Sequence, residues 1–215
     1  MPITLDTSLP ESLYPLAWLI GSWEGSGAIQ QPDQDVPDAR IEQQLECTAA
    51  ADGTLQWRSL IHRVDLPAPL PPTSVFARDE AEDPTGSAPV AQGSGERTLL
   101  HREEGTWTVG ELLPGQDHSV SEAAKPGTPA SFLSHRLDAR LTRRGESPEA
   151  WAGEVRGPRV QLALRDTGGE ITDTRMFGYV RGQLMWLWER RLPVPGGTPG
   201  ETSMAPYLSL ELHRV

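Results

Sequence analysis

Residues 21–27 read Gly21-Ser-Trp-Glu-Gly-Ser-Gly27, directly after the apolar run LYPLAWLI. In an extended chain Gly21, Trp23, Gly25 and Gly27 share one face, because successive side chains point to opposite sides. Glycine is entropically costly in a strand, so three on one face imply a steric demand: another backbone, a ring or a ligand approaches beside one large indole. A sharp bend, with Trp23 plugging the base beneath a short preceding helix, meets that demand directly, and any ligand contact is then secondary.

The same alternation recurs along the chain. In Thr54–Val64, TLQWRSLIHRV, Leu55, Trp57 and Ile61 share one face while Gln56, Arg58 and His62 share the other, as in an antiparallel strand with one wet side. Similar runs lie near 41–48, 97–102, 106–113, 132–142, 159–165, 172–180, 183–190 and 205–214, which with 21–27 makes about ten strands. The stretch TRMFGYVRGQLMWLWERR predicts a hairpin turning at Arg181-Gly182, with Leu184, Trp186 and Trp188 on one side and Met185, Leu187 and Glu189 on the other. Helical spacing is confined to about 11–20, where Leu13, Leu16, Ala17, Leu19 and Ile20 make a turn or two from Ser12, with Pro15 tolerated early. Short antiparallel strands without crossover helices suggest a closed barrel or a sandwich. A barrel of about ten strands is wider than one filled by its own side chains, so its interior can hold a small ligand.

The 215 residues suit a single domain over 1–215. Three Pro/Gly-rich segments, near 66–96, 114–131 and 193–203, read as long mobile surface loops rather than linkers. The formal charge is −11, and the acidic excess is local: residues 1–130 hold 20 acidic against 7 basic side chains, residues 131–215 only 10 against 12. That balance argues against nucleic acid or an anionic membrane as the main partner. The single cysteine, Cys47, excludes an internal disulfide and reads as a small, half-buried residue. The N-terminus has no basic start, only prolines and acids around a short apolar run, so neither a signal peptide nor a spanning helix is expected and the protein is placed in the cytoplasm.

Signals for chemistry are sparse. His62, His101, His118, His135 and His213 stand in separate segments without metal-ligand spacing, and no Gly-x-Ser-x-Gly elbow, phosphate loop or dinucleotide fingerprint occurs. The seven tryptophans either fill a core or line a cavity for a flat apolar ligand; both need inward-facing aromatics.

PLAWLIGSWEGSG, with its G-x-W-x-G-x-G pattern, the hairpin MFGYVRGQLMWLWERR and the last strand APYLSLELHRV together resemble the nitrobindins, a fatty-acid-binding-protein-like family. The first and last thirds carry the resemblance, and the middle is lengthened by the Pro/Gly-rich loops. It implies an all-β fold, a single antiparallel up-and-down barrel of about ten strands with the short N-terminal helix closing one end. It also implies heme b near the barrel mouth, with ferric iron bound through one histidine, reactive toward nitric oxide and able to isomerise peroxynitrite to nitrate. Gly21, Trp23, Gly25 and Gly27 match the family's glycine motif and are the cofactor-binding segment the resemblance implies.

The axial histidine of the family lies in its final strand, in a stretch resembling Pro-His-Leu, whereas here the residues are Pro206-Tyr207-Leu208. The family's Tyr-Pro-Thr-Ile continuation after the glycine motif is replaced by AIQQPDQDV. A neutral imidazole is a good heme ligand, while a phenol of ordinary pKa, ~10, must lose its proton first. His213, six residues on and expected on the same face as Tyr207, lies roughly 20 Å away along the strand and serves a different place. The expectation is therefore a nitrobindin-like barrel that lacks the heme-ligating histidine, is not a conventional heme b nitrobindin, and offers its cavity to a small apolar ligand. The alternative is a ferric heme protein that binds nitric oxide and isomerises peroxynitrite with Tyr207 as axial ligand. A third reading gives the acidic loops at 66–96 and 114–130 a protein partner. Monomer and homodimer are both compatible with a barrel, whose closure removes free strand edges.

Overall fold

A computed structural model describes residues 9–30, 38–68 and 93–215, except Pro195 and Pro199. Ten antiparallel strands close on themselves: β1 (Gly21–Ile29), β2 (Ala39–Ala49), β3 (Leu55–Pro67), β4 (Arg97–Leu112), β5 (Ser134–Arg143), β6 (Glu149–Arg156), β7 (Arg159–Arg165), β8 (Ile171–Val180), β9 (Gln183–Pro193) and β10 (Thr202–Arg214). Each strand pairs with its neighbours in sequence, and β1 pairs with β10 to complete an up-and-down barrel. The fold is thus the expected all-β barrel, with the N-terminal helical turn at one end.

That turn, Glu11–Leu16, is a 3-10 helix, and Pro15 within it removes a donor that a longer α-helix would need. It buries Leu13 and Leu16, and Leu19 follows them into the core. The Ser12 hydroxyl donates to the Gly53 carbonyl in the β2–β3 turn, and the Trp23 indole N–H donates to the Leu19 carbonyl at 2.8 Å. Arg214 ties the last strand to the same end, donating to the Trp18 carbonyl at 2.9 Å with its guanidinium 4.4 Å from the Trp23 ring.

The glycines of β1 are explained by the chain itself. A Cβ at Gly25 would run into the Glu211 carbonyl of β10, and one at Gly27 into the Ser209 carbonyl. Gly21 has φ +136°, a conformation that side chains resist. The steric demand comes from the β10 backbone packed against β1.

The number of strands matches expectation, but two of them do not. The runs at 97–102 and 106–113 are one 16-residue strand, β4, which Gly105 does not interrupt: a Cβ there would meet the Arg140 carbonyl of β5, so glycine serves close strand contact. The sequence reading passed over β6, EAWAGEVR, whose weak strand formers leave Trp151 and Val155 as its buried anchors.

The segment near 114–131 carries short helical elements. It contains helix α1 (His118–Ala123), capped by the Asp117 carboxylate, and a 3-10 turn at Pro129–Ser131. Near 193–203 the strands β9 and β10 reach Pro193 and Thr202. Most of the expected loop at 66–96, residues 69–92, lies outside the described residues.

At Arg181-Gly182 both φ angles are positive, 52° and 89°, the mirror-image turn that suits a two-residue hairpin. All seven tryptophans are at most 5% exposed, which decides their role: they fill the barrel. Trp57 stacks on Trp107 at 5.0 Å and Phe177 on Trp186 at 5.1 Å, with Phe177 edge-on to the first pair. Cys47 is fully buried, not half-buried, and burial pushes its thiol pKa well up despite Arg214 nearby. No helix among the described residues is long and apolar enough to cross a membrane.

Candidate functional site

Alternation along β4 sends His101, Glu103, Gly105 and Trp107 inward in sequence. Glu103 meets Arg175 of β8 in a two-pronged pair, Oε1 and Oε2 each 2.7 Å from a guanidinium nitrogen, and also accepts from Trp57 Nε1 at 3.0 Å. Arg175 is 1% exposed and its guanidinium lies 4.0 Å from the Trp188 ring and 4.4 Å from Trp151. Burial raises a carboxyl's pKa, yet the charge and hydrogen bonds of Arg175, with Trp57, hold Glu103 below its ordinary range. This ion pair and its aromatic cage occupy the middle of the barrel.

Above it, toward the end away from the 3-10 helix, lies the Tyr207 cluster. β10 has a bulge between Pro206, which pairs with Glu189, and Leu208, which pairs with Trp188. Leu208, Leu210 and Leu212 face the core, so strict alternation would turn Tyr207 outward; the extra residue of the bulge lets it reach inside. Its hydroxyl lies 2.8 Å from His101 Nε2, its ring is 5.1 Å edge-on from Trp188, and the Arg190 guanidinium is 3.7 Å from its ring centre. His213 is exposed on the outer face, so the expectation that it shares a face with Tyr207 is corrected by the bulge.

Charged groups surround this pair. Arg190 pairs with Asp173 at 3.2 Å, and Asp173 also accepts from Trp188 Nε1 at 2.8 Å. Arg143 pairs with Glu146 at 2.9 Å and with Glu149, and its guanidinium lies 5.4 Å from the Trp188 ring. Burial, then the charges of Arg143 and Arg190, pull the His101 pKa down to about 4, so its imidazole is neutral near neutral pH.

The expected site residues do not form one cluster. Trp23 is at the closed base, 5.9 Å from the Tyr179 ring, and Gly25 and Gly27 pack on β10 backbone, whereas Tyr207 is near the opposite end. A cavity of about 1250 Å³ lies along the outer wall, lined by residues such as Ala28, Met176, Met185 and Leu187, and neither Tyr207 nor His101 borders it.

His101, Arg143, Arg175 and Arg190 were not singled out as site residues from the sequence. The inward spacing His101-x-Glu103-x-Gly105-x-Trp107 lies across the gap left between the expected runs 97–102 and 106–113.

The donor set decides what iron chemistry suits this mouth. A histidine-ligated heme does not fit position 207, which offers a phenol. The phenol oxygen has a neutral imidazole beside it and a guanidinium over its ring. Among the described residues no group of three or more His, Cys, Asp or Glu side chains lies together to hold a bare metal ion.

Comparison with known proteins agrees with the fold. Residues 12–214 match the family model for the THAP4-like, heme-binding beta-barrel domain. A peroxynitrite isomerase of Kocuria rhizophila is 24% identical, the match covering 100% of this chain and 96% of that protein. A ferric nitrobindin-like protein of Beutenbergia cavernae is 30% identical over 86% of this chain and 89% of its own. The crystal structure of Rv2717c from M. tuberculosis superposes with a TM-score of 0.54 at 17% identity, covering 97% of this chain and 99% of that one, and so shares the fold. With a family model spanning nearly the whole barrel, the chain belongs to the THAP4-like heme-binding β-barrels, the nitrobindin family.

Proposed function

We propose that this barrel is a nitrobindin-family protein without the family's histidine-ligated heme b centre, and that it takes a small, flat, apolar ligand at the mouth above Tyr207. The observation that carries this reading is the 2.8 Å bond between the Tyr207 hydroxyl and His101 Nε2: the residue at the expected axial position is a phenol already partnered by the protein. The interior beneath is filled, with every tryptophan buried. The lone buried Cys47 supports a cytoplasmic setting, and the protein acts as monomer or homodimer.

A second reading is favoured by the neutral imidazole and the Arg190 guanidinium beside Tyr207. In it Tyr207 ligates ferric heme as phenolate, and the protein binds nitric oxide and isomerises peroxynitrite to nitrate; the Kocuria rhizophila relative is named a peroxynitrite isomerase. Bound heme would supply the reactive iron; this chain's residues would hold the ligand oxygen and offset its charge.

Titration of the purified protein with ferric heme, followed by absorption, tests both. For the first reading, the native chain shows no saturable binding and Tyr207→His raises heme affinity by at least about tenfold, or about 1.4 kcal/mol. Negligible affinity after that substitution means the mouth refuses the ring. Saturable, stoichiometric native binding that disappears in Tyr207→Phe selects the second reading.

A further inference from the structure

We infer that the outer face of β8 and β9 is a docking surface for a second copy of this chain, the two related by a twofold axis lying between the facing sheets and parallel to these strands. This goes beyond the reading of the mouth and stands whether or not a ligand binds there. The signal is Gly178. Glycine weakens a strand, and Gly25, Gly27, Gly105 and Gly153 are each required by neighbouring backbone, whereas a Cβ at Gly178 would meet nothing within 4 Å. The barrel itself therefore has no need of glycine there, at a place where Met176 and Val180 on either side are 39% and 49% exposed. With Phe177 and Trp186 buried, alternation turns Met176, Gly178, Met185 and Leu187 outward, and all four border the cavity along the outer wall. Gly178 is thus a hole in an exposed apolar face, of the kind that marks close approach by another surface.

The register shows what fills the hole. One row across the wall reads Arg159, Gly178, Met185, Glu211, each opposite the next on adjoining strands. The row beside it sets Met176 opposite Leu187. A twofold axis between β8 and β9 keeps each row and exchanges its halves. Met185 of one copy then enters the hole over Gly178 of the other, Met176 meets Leu187, and Arg159 meets Glu211. Every contact occurs twice, as a self-complementary interface requires. Among the described residues neither Arg159 nor Glu211 belongs to an ion pair, and the Arg159 guanidinium donates to Met176 Sδ at 3.6 Å. The two stand three strands apart, about 14 Å at ordinary spacing, so their charges are available across the axis. A partner charged with one sign would meet a like charge at one end of the row, whereas a second copy meets the opposite charge at both. The closed barrel has no strand edge to offer, so association uses a face, and facing sheets pack about 10 Å apart.

The test is sedimentation equilibrium of the full chain over a range of concentrations, beside Gly178→Arg, Arg159→Glu, Glu211→Arg and the double variant Arg159→Glu/Glu211→Arg. Melting curves establish that each variant is folded. The native chain is expected to associate reversibly to a dimer and no further, because a twofold contact closes on itself. Gly178→Arg, for which the single barrel has room, gives a monomer that still melts cooperatively. Each single charge reversal raises the dissociation constant about tenfold or more, through two repelling pairs per dimer. The double variant restores opposite charges and recovers the native affinity. A native chain that stays monomeric at every concentration overturns the inference and leaves the groove to an occupant of another kind. A dimer that survives Gly178→Arg overturns it by placing the contact on another face. Single reversals without effect, or a double variant no tighter than the singles, overturn the twofold arrangement.

Discussion

Gly27 of β1 lies against the carbonyl of Ser209 on β10 so closely that no side chain fits between them. The pair sits in the seam joining the first strand to the last, where Gly27 is opposite Leu210. Gly27→Ala, and more so Gly25→Val, forces β10 away and is expected to destabilise the fold by about 1–3 kcal/mol or more, as overpacking does. Thermal melts check this; an unchanged midpoint would show the seam has slack.

The buried Glu103–Arg175 pair predicts strong non-additivity. Arg175→Met alone strands a carboxylate in the core and Glu103→Gln alone strands a guanidinium, each costing about 3–5 kcal/mol. The double variant should cost clearly less than the sum of the two. Urea denaturation of the four proteins measures the coupling, and simple additivity would mean the charges are solvated in a way their burial contradicts.

His101 predicts an acid-sensitive window. Its folded pKa of about 4 lies below the ordinary 6.5, so between these values the unfolded chain binds a proton that the folded chain does not. Stability conferred by the neutral ring is complete above pH 6.5 and declines as pH falls toward 4. Glu103, held below its ordinary 4.5, acts only at lower pH. His101→Asn should flatten the decline between pH 6.5 and 4 in denaturation measured on the heme-free protein; an identical slope would show His101 is not its source.

Arg181 holds φ 52° without being glycine. Arg181→Asn, better suited to the first position of this turn, should stabilise by about 0.5–1 kcal/mol. Calorimetry would detect the rise in melting temperature, and a fall would mean that Arg181 makes contacts worth more than its strain.

Strand placement was legible because alternation is local: Leu55, Trp57 and Ile61, or Leu184, Trp186 and Trp188, declare a buried face within a few residues. The runs 97–102 and 106–113 look like two strands in sequence because Glu103, Glu104 and Gly105 between them carry no apolar signal, and only the Arg140 carbonyl against Gly105 shows that the strand runs on. The mouth was half legible. Tyr207 stood out by resemblance, but its inward turn depends on a bulge, and its partner lies 106 positions earlier on β4. Which arginine caps an aromatic ring is likewise a matter of long-range register, so Arg190 over Tyr207 and Arg175 among three tryptophans had no local signature.

The β1–β10 seam also governs how the molecule is made. Trp23 finds Arg214 from the far end of the barrel sequence, so the pairing that closes the wall carries the largest sequence separation among the strand pairings. Nine strands can be laid down by hairpin addition, but the circle closes only when the tenth pairs with the first. Until then β1 presents an unpaired edge bearing Trp23, and truncation from the C-terminus by a single strand leaves a curled sheet with two open edges in place of a barrel.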